Sequence, residues 1–360
     1  MLRSFALLFA SVALATAYNC NGTFTINAPS DLSQPTYFPS GWNGNQPIPE
    51  LTKSPEQSCS ITVNIPKGVY ATVTYYRNFG TTAGTYMLYS NKKYKLIDDN
   101  DENPYIYCQP YFIVNLGSAS WQNTTNFGFK IVWSKFPEME KNVVDIYKGK
   151  PPVAFSPNNQ LTTFVGEVNS LLSIMAFSLK DPSQDYLLRQ SAVFSGVDLT
   201  GDFVGTLDQV LRSHNSFTTY TNKRMTVYTF GLNQIIDYPI FMIQDWEQTS
   251  NVNAYSGFNC PSTGNCNVTL FGNYGRSYTV SDFNGSEYVK DFTSFPDTAS
   301  ISVYENSISN TSCIATLTSS DYKSQLPLEV KGTMKFYVLN GYANVDMVVS
   351  RDTSRASRLL

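Results

Sequence analysis

The sequence predicts an all-β protein built from tandem antiparallel β-sandwiches. Runs of alternating apolar and polar residues recur along the chain, and patterns long enough for an amphipathic helix are nearly absent. The composition agrees, since 14% of the residues are aromatic and only 15% are charged, against a typical charged share of about 25%. At 360 residues the chain is too long for one compact core to be the default, so more than one domain is expected.

The N-terminus has the features of a secretory signal peptide over residues 1–17. Arg3 supplies a positive charge, residues 5–14 form a short apolar run, and Ala15-Thr16-Ala17 fits the small-residue cleavage pattern. A membrane-spanning helix needs about 20 apolar residues, and no run in the sequence reaches that length. We therefore expect a mature extracellular chain that begins near Tyr18 and has no membrane span.

A strand–turn–strand pattern at residues 59–76 is the clearest local signal. Apolar and polar residues alternate on both sides of Pro66-Lys67-Gly68, as in a half-buried hairpin. Related patterns recur at residues 162–179 and 266–283. The recurrence predicts three units of about 110 residues, a size that suits a β-sandwich. Further strands are predicted at residues 24–26, 85–89, 94–97, 105–116, 127–133, 192–194, 224–230, 335–339 and 345–349.

Two stretches that break the strand pattern divide the chain between these units. Residues 136–141 interrupt the alternation, and residues 244–253 are largely polar. We therefore predict β-sandwiches over residues 18–136, 137–246 and 247–350, followed by a polar C-terminal tail. The alternative is two domains, the second of them large. The tail is assigned to residues 351–360.

The cysteines and sequons agree with an extracellular location. Six cysteines behind a secretory signal predict disulfides, and their spacing contains no C-x-x-C, so a zinc site is not expected. A net charge of −3 does not indicate a basic surface that would bind nucleic acid. N-glycosylation is predicted at the five Asn-x-Ser/Thr sequons. These are Asn21, Asn123, Asn267, Asn284 and Asn310.

A set of motifs in the first unit occurs together in one known domain family. They are Cys20, Tyr37-Phe38-Pro39-x-x-Trp42, Cys59-x-Ile61-x-Val63-x-Ile65-Pro66-x-Gly68, Pro110-Tyr111-Phe112 and Gly128-Phe129. With them, the first unit resembles the CUB-like domain of a large nematode family of secreted proteins, a divergent relative of the CUB β-sandwich. The resemblance implies a jelly-roll-like sandwich of two antiparallel sheets. The second and third units resemble it more faintly.

The resemblance also implies a disulfide pattern. It places Cys20 in a bridge to Cys59, and by internal analogy Cys260 pairs with Cys266. Cys108 and Cys313 then remain, and they could bridge, stay buried and free, or link two chains.

No metal or cofactor is predicted. Many CUB domains bind calcium through carboxylates, one of which precedes the strand that corresponds to residues 86–89. This chain has Ala83-Gly84-Thr85 there and Arg189-Gln190 in the second unit, so only the third unit offers an acid, Asp297. The acidic turn at residues 98–103 lacks the Gly and Glu of an EF-hand loop, and a solvated loop is the preferred interpretation.

No catalytic residues are predicted either. The single histidine, His214, lies in a polar stretch without a neighbouring acid or cysteine, where a solvated side chain is expected. The pairs Asp181 with Asp185 and Asp198 with Asp202 could do acid–base work on a sugar. Both pairs, however, lie among turn residues, where Asp is favoured for backbone reasons.

The resemblance implies a non-enzymatic extracellular binding or interaction protein with a role in host defence, in particular the innate immune response. Its partner would be an extracellular glycan, a microbial surface or a protein. The recognition surface would lie on exposed loops at one end of a sandwich, for which residues 37–42 and 98–105 are the candidates. The alternatives are a carbohydrate-active hydrolase with paired carboxylates and a structural matrix glycoprotein.

Overall fold

The structure, a computed structural model, describes eight segments of the chain. They are residues 18–52, 58–78, 86–90, 93–97, 101–116, 124–213, 223–272 and 275–352. The predicted signal peptide and most of the polar tail lie outside them. The chain divides into two compact units, Met1–Phe136 and Pro137–Leu360. The predicted all-β sandwich class is confirmed, since strands dominate both units.

The first unit consists of two sheets that enclose one core. Sheet A has the strand order β1-β4-β11-β6-β9, with β3 also beside β11, and sheet B has the order β2-β5-β10-β7-β8. Aromatic side chains from both sheets fill the space between them, among them Tyr75, Phe112 and Phe129. The strands are β1 (Tyr18–Asn19), β2 (Gly22–Asn27), β3 (Thr36–Phe38), β4 (Glu50–Thr52), β5 (Cys59–Asn64), β6 (Val69–Asn78), β7 (Tyr86–Ser90), β8 (Lys93–Ile97), β9 (Tyr105–Cys108), β10 (Tyr111–Asn115) and β11 (Thr124–Lys135).

The second unit contains two further sandwiches. The first is made of β12 (Lys141–Ile146), β13 (Val153–Phe155), β14 (Leu161–Gly166), β15 (Leu172–Ala176), β16 (Ala192–Ser195), β17 (Asp202–Gly205), β18 (Arg224–Tyr228) and β19 (Phe241–Asp245). The second is made of β20 (Ala254–Phe258), β21 (Asn265–Leu270), β22 (Gly275–Asp282), β23 (Glu287–Ser294), β24 (Ser300–Glu305), β25 (Cys313–Thr318), β26 (Leu328–Val330), β27 (Met334–Gly341) and β28 (Val345–Ser350).

Four sheets build these two sandwiches. Sheet C has the order β12-β14-β18-β16-β17 and sheet D the order β13-β19-β15, while sheet E has the order β20-β22-β27-β24-β25 and sheet F the order β21-β28-β23-β26. The helices are short. They are α1 (Leu207–Leu211), α2 (Tyr322–Gln325) and the 3-10 helices Pro182–Arg189, Leu232–Gln234 and Trp246–Gln248. No helix in the described segments is long and apolar enough to cross a membrane.

Sheet E belongs to two hydrophobic cores, one on each face. Along β27, Phe336 and Val338 pack into the core of the first sandwich of the second unit, whereas Tyr337 and Leu339 pack against sheet F. Because successive side chains of a strand point to opposite faces, a strand buried on both sides is apolar at almost every position. This shared sheet ties the two sandwiches into one unit. The predicted division between residues 246 and 247 stays a prediction.

The pattern at residues 59–76 is not a hairpin, contrary to the first expectation. β5 pairs with β2 and β10 in sheet B, whereas β6 pairs with β9 and β11 in sheet A. The turn at Pro66-Lys67-Gly68 therefore carries the chain from one sheet to the other. The two related patterns do the same, because β14 and β15 lie in sheets C and D, and β21 and β22 in sheets F and E.

Candidate functional site

A groove of about 530 Å³ lies between the two sandwiches of the second unit. One side is formed by the loop after β15, the 3-10 helix Pro182–Arg189 and the end of α1, and the opposite side by β20 and β21. Concave sites of this size between packed domains are where proteins most often bind ligands. The polar side chains that line the groove include Ser178, Asp185, Arg212, Ser256, Asn259 and Asn267.

The 3-10 helix that carries Asp185 has a clear start in the sequence. Asp181 caps it, since its carboxylate accepts hydrogen bonds from the Ser183 N–H at 3.0 Å and the Ser183 hydroxyl at 2.7 Å. Pro182 follows in the first turn, where its missing N–H leaves no helical bond unmade. Asp181 and Asp185, which the sequence analysis placed among turn residues, thus lie at the cap and in the first half of a short helix.

Asp185 is a partly buried carboxylate on this side of the groove. It accepts hydrogen bonds from the Ser178 hydroxyl at 2.8 Å and from the Leu179 N–H at 2.7 Å. Burial raises the pKa of Asp185, and these hydrogen bonds and the charge of Arg212 oppose that rise. The carboxylate is therefore held in a fixed orientation at a place where it is costly to keep charged without a further partner.

Arg212 lies next to Asp185 at the end of α1. The helix begins at a capping box in which Thr206 and Gln209 satisfy each other's backbone N–H groups. The Arg212 Nε donates to Asp208 Oδ1 at 2.7 Å, and the Arg189 Nε lies 3.9 Å from Asp208 Oδ2. The Asp208 side chain is 2% exposed, whereas 51% of the Arg212 side chain is exposed. Arg212 is thus anchored by a buried acid and still accessible from solvent.

On the opposite side of the groove, β20 packs closely against the chain that follows β15, and Gly257 permits this contact. A Cβ at this position would lie 1.9 Å from Phe177 Cδ1, so any other residue would push the two sandwiches apart. Two backbone hydrogen bonds seal the contact, from Ser178 N to Gly257 O at 2.9 Å and from Asn259 N to Ser178 O at 3.1 Å. The buried Asn259 side chain also donates to the Ser178 carbonyl.

β21 completes this side of the groove. Its side chains alternate between the core, which receives Val268 and Leu270, and the solvent, which meets Asn265 and Asn267. Thr269 also faces outward and donates from Oγ1 to Asp346 Oδ1 at 2.7 Å. The outward side chains are small, uncharged and polar, and they face the charged pair Asp185 and Arg212 across the groove.

These groups suit recognition of a polar ligand. The carboxylate accepts hydrogen bonds, the guanidinium and the amides donate them, and hydroxyl groups can do either. Asp185 is the only carboxylate among the described residues that line the groove. The paired acids that glycoside hydrolysis uses are therefore not formed by these residues.

The other acids named from the sequence have structural roles. Asp181 caps a helix, and Asp198 Oδ1 accepts from the Thr200 N–H and hydroxyl in a tight turn. Asp202 is exposed at the start of β17. Of the four, only Asp185 lies in the groove. His214 lies outside the described residues.

In the first of the two candidate recognition loops, residues 37–42, the Trp42 side chain is less exposed than expected. Trp42 is 7% exposed, with its ring edge-on to Tyr37 and Tyr76 and its indole N–H donating to the Gln46 carbonyl at 3.2 Å. It closes the edge of the core and is not available as a ligand platform. In the second loop, residues 98–100 lie outside the described segments, and Asp101 Oδ1 accepts from the Asn103 N–H at 2.8 Å.

The described residues contain no cluster of three or more acids, histidines or cysteines that could hold a metal ion. Asp297, the one acid at the position that binds calcium in CUB domains, is exposed and accepts from the Ser319 hydroxyl at 2.6 Å. A hydroxyl donor at this distance makes Asp297 part of a surface turn.

The cysteines form two disulfides, Cys20–Cys59 with Cα atoms 5.3 Å apart and Cys260–Cys266 with Cα atoms 5.7 Å apart. Cys108 is free and buried, and Cys313 is free and exposed. Burial raises the pKa of the Cys108 thiol well above its usual value, which keeps it protonated and unreactive.

The predicted glycosylation sites lie mostly on accessible positions. Asn267, Asn284 and Asn310 are exposed, Asn21 is half-buried, and Asn123 lies outside the described residues. Their occupancy stays a prediction.

Comparison with known families identifies the first unit. Residues 15–137 match the family model of the CUB-like domain. The first unit is a CUB-like domain. Such domains are generally binding modules without catalytic groups, and a CUB-like domain together with disulfides is typical of extracellular proteins. Residues 247–352 match the family model described as a domain of unknown function (DUF7591), and no curated protein matches the chain.

Solved structures resemble the chain only weakly. The CUB1-EGF-CUB2 domain of human MASP-1/3 aligns with 60% of this chain and 100% of its own, at 6% identity and a TM-score of 0.21. The rat MASP-1 domains align with 91% of this chain and 100% of their own, at 6% and 0.21. Tripeptidyl Peptidase 2 aligns with 91% of this chain and 24% of its own, at 10% and 0.23. Alignments with TM-scores this low assign no function to this chain.

Sequence reasoning named Asp185 but missed the groove. The groove brings together residues from positions 178 to 271, and no local pattern reports contacts of that range. Two local signals were available, namely Asp181-Pro182 at the start of one helix and Thr206-x-x-Gln209 at the start of another. They place Asp185 and Arg212 on helices, although they do not bring the two together.

Proposed function

We propose that the protein is a secreted, non-enzymatic binding protein that recognises a polar ligand in the groove of its second unit. The CUB-like domain supports the binding class. One observation carries the choice of site: Asp185, partly buried and fixed by two hydrogen bonds, lies beside Arg212, which is anchored and half exposed. A preoriented acceptor and donor at the edge of a concave site lose little entropy when a ligand binds.

The proposed ligand class is a carbohydrate, presented as an extracellular glycan or on a microbial surface. Sugar hydroxyls donate and accept hydrogen bonds, which matches a lining of one carboxylate, one guanidinium, the Lys180 ammonium, amides and hydroxyls. A role in host defence, in a secreted protein of the nematode CUB-like family, is consistent with such a ligand.

A carbohydrate-active hydrolase is the alternative from another class. It needs two carboxylates about 5 to 10 Å apart around the scissile bond, and the described lining supplies one. A structural matrix glycoprotein would need neither the groove nor its charged pair. The geometry therefore favours binding.

The experiment measures binding of the purified secreted protein to an array of oligosaccharides and to fixed bacterial and fungal cells. We expect saturable binding that Asp185→Asn weakens about tenfold, because the variant loses a charge-assisted acceptor worth about 1.5 kcal/mol. Asp145→Asn is the matched control, since Asp145 is an exposed acid on β12 outside the groove. Thermal unfolding of both variants checks their folding.

Three results would contradict the proposal: no saturable binding to any probe, equal binding by Asp185→Asn and wild type, or equal loss in both variants. Mass spectrometry of the same oligosaccharides after incubation tests the hydrolase alternative, which requires cleaved products. Because Asn267 lies on the groove, each assay is run before and after enzymatic removal of N-glycans.

A further inference from the structure

The ends of the six sheets differ in how they are protected from adding another strand. A strand at the end of a sheet presents unpaired N–H and C=O groups, and proteins blunt such edges by making them short, by charging them or by covering them. In the described part of the chain, the strands at the ends of the six strand orders are β1 and β9 of sheet A, β2 and β8 of sheet B, β12 and β17 of sheet C, β13 and β15 of sheet D, β20 and β25 of sheet E, and β21 and β26 of sheet F. β3, which pairs with β11 alone and lies off the order of sheet A, has only three residues.

Nine of these twelve end strands are blunted in a recognised way. β1, β9, β13, β17 and β26 have four residues or fewer. β8 contains Lys93 and Lys95, and β12 contains Lys141 and Asp145. β15 and β20 cover each other, because the chain directly after β15 forms a bridge between Phe177 and Gly257 of β20.

The other three end strands are less protected. β2 and β21 have none of these features, and β25 is covered only at its C-terminal end, where Gln325 donates to the Thr316 carbonyl at 3.3 Å and the Thr318 N–H donates to Asp321 at 2.8 Å. β2 (G-T-F-T-I-N), β21 (N-C-N-V-T-L) and β25 (C-I-A-T-L-T) have six residues each and contain no charged residue and no proline. β25 also exposes Ile314, at 39% of its surface. Long, uncharged edges of this kind add strands from other molecules and lead to aggregation.

Each of these three strands has an N-glycosylation sequon in it or directly before it. Asn267 lies within β21 with its side chain exposed, Asn21 immediately precedes β2, and the sequon of Asn310 ends at the residue before β25. The fourth described sequon differs, because Asn284 lies in the turn between β22 and β23, which are interior strands of their sheets.

We propose that N-linked glycans on Asn21, Asn267 and Asn310 shield the free edges of β2, β21 and β25 against intermolecular strand addition. The inference rests on the secretion proposed above, since the modification is made in the secretory pathway. A glycan is large and hydrated, so it excludes a second chain from the edge as a charged side chain does elsewhere in the molecule.

The experiment compares aggregation of three variants secreted by a eukaryotic host. Asn267→Gln and Asn310→Gln each remove one edge sequon, and Asn284→Gln removes the sequon between interior strands and serves as the matched control. Peptide mass spectrometry establishes occupancy, and light scattering with size-exclusion chromatography measures the aggregated fraction at physiological temperature. We expect a severalfold rise for the two edge variants, unchanged midpoints of thermal unfolding, and no rise for Asn284→Gln.

A rescue variant separates edge shielding from general solubility. Asn267→Lys also lacks the glycan but places a charge on the edge, and we expect it to stay monomeric. For a variant that is not secreted, enzymatic deglycosylation of the folded wild-type protein gives the comparison without a folding step. Unmodified Asn267 and Asn310, monomeric edge variants, or equal aggregation of Asn284→Gln would overturn the inference. None of these readouts measures binding of the groove ligand, so failure of this inference would not count against the proposed binding function, and the reverse also holds.

Discussion

The first unit fills its core with aromatic rings, whereas the second unit also buries charged side chains. In the first unit Tyr107 stacks on Phe112 with ring centroids 4.1 Å apart, and Phe38 stacks on Phe129 at 5.1 Å. Among its described residues, Arg77 is the one buried charge. The buried charged residues of the second unit are Arg189, Asp208, Asp245, Asp282, Glu287, Lys335 and Arg351.

The difference teaches where each unit is vulnerable. Aromatic packing depends on shape, so a small change in side-chain volume lowers the stability of the core. It leaves no buried charge without a partner. Buried charges are costly to remove from water and are tolerated only when paired, as Arg351 is with Glu287 at 2.8 Å. The second unit should therefore lose most stability when one partner of a pair is removed, and the first when a close packing contact is disturbed.

The largest expected effect is on the pair of Arg351 and Glu287. Arg351→Met leaves the fully buried Glu287 carboxylate without its ion pair, and it also removes the donor to the Cys260 carbonyl at 2.6 Å. We expect the free energy of unfolding to fall by about 4 kcal/mol, as for other buried pairs that lose one partner. Urea denaturation, with hydrogen exchange to locate the loss in residues 137–352, measures it.

The control removes both charges. Arg351→Met combined with Glu287→Gln removes both charges of this pair, and the Gln amide can still accept from the Ser281 hydroxyl, which donates to Glu287 Oε1 at 2.8 Å. We expect the double variant to regain most of the lost stability. A double variant as unstable as the single one would show that Arg351 acts through packing, for example on the Phe283 ring at 4.0 Å.

An intermediate effect is expected in the first unit at Gly128. A Cβ there would lie 2.8 Å from Trp42 Cζ3 and 2.9 Å from the Phe38 carbonyl oxygen. We expect Gly128→Ala to cost about 2 kcal/mol, the usual range for overpacking, measured by urea denaturation. In a Trp42→Leu background the added methyl group should cost less, since the ring is gone. Equal costs in both backgrounds would assign the strain to the Phe38 backbone alone.

The same contact explains what the sequence could predict of the first unit. The motifs Tyr37-Phe38-Pro39-x-x-Trp42 and Gly128-Phe129 are 90 residues apart, yet Trp42 rests on Gly128 and Phe38 stacks on Phe129. A resemblance to a known family implies such contacts, because its motifs occur together in one domain fold. Periodicity alone predicted the strand at residues 127–133, but neither β3 nor its contact with that strand.

Periodicity also could not show which strands pair. Alternating residues indicate a strand with one buried face, and this pattern is the same whether the next strand lies beside it or across the core from it. That is why residues 59–76 were predicted as a hairpin and prove to cross between two sheets. The run at residues 105–116 likewise splits at Pro110, which has no N–H for a ladder, into β9 and β10 of opposite sheets.

The smallest expected effect is a contrast in pH dependence between one acid of each unit. Asp31 in the first unit is exposed, and the Ser33 hydroxyl and N–H, which donate to it at 2.7 and 3.0 Å, lower its pKa from 3.8. Asp185 in the second unit is partly buried, and burial raises its pKa from 3.8. The two acids should therefore contribute to stability with opposite signs as the pH changes.

For Asp31 the pKa of the folded state lies below that of the unfolded state, so its contribution is present above the unfolded value and is lost as the pH falls through the folded one. For Asp185 the folded pKa lies above the unfolded one, so its contribution is present below the unfolded value and is lost as the pH rises through the folded one. The difference in unfolding midpoint between wild type and each Asp→Asn variant, followed from acid to neutral pH, measures both. It should rise with pH for Asp31→Asn and fall for Asp185→Asn. A rise in both would mean that the hydrogen bonds from Ser178 and Leu179 outweigh burial at Asp185, and the groove would then hold a carboxylate that needs no ligand to stay charged.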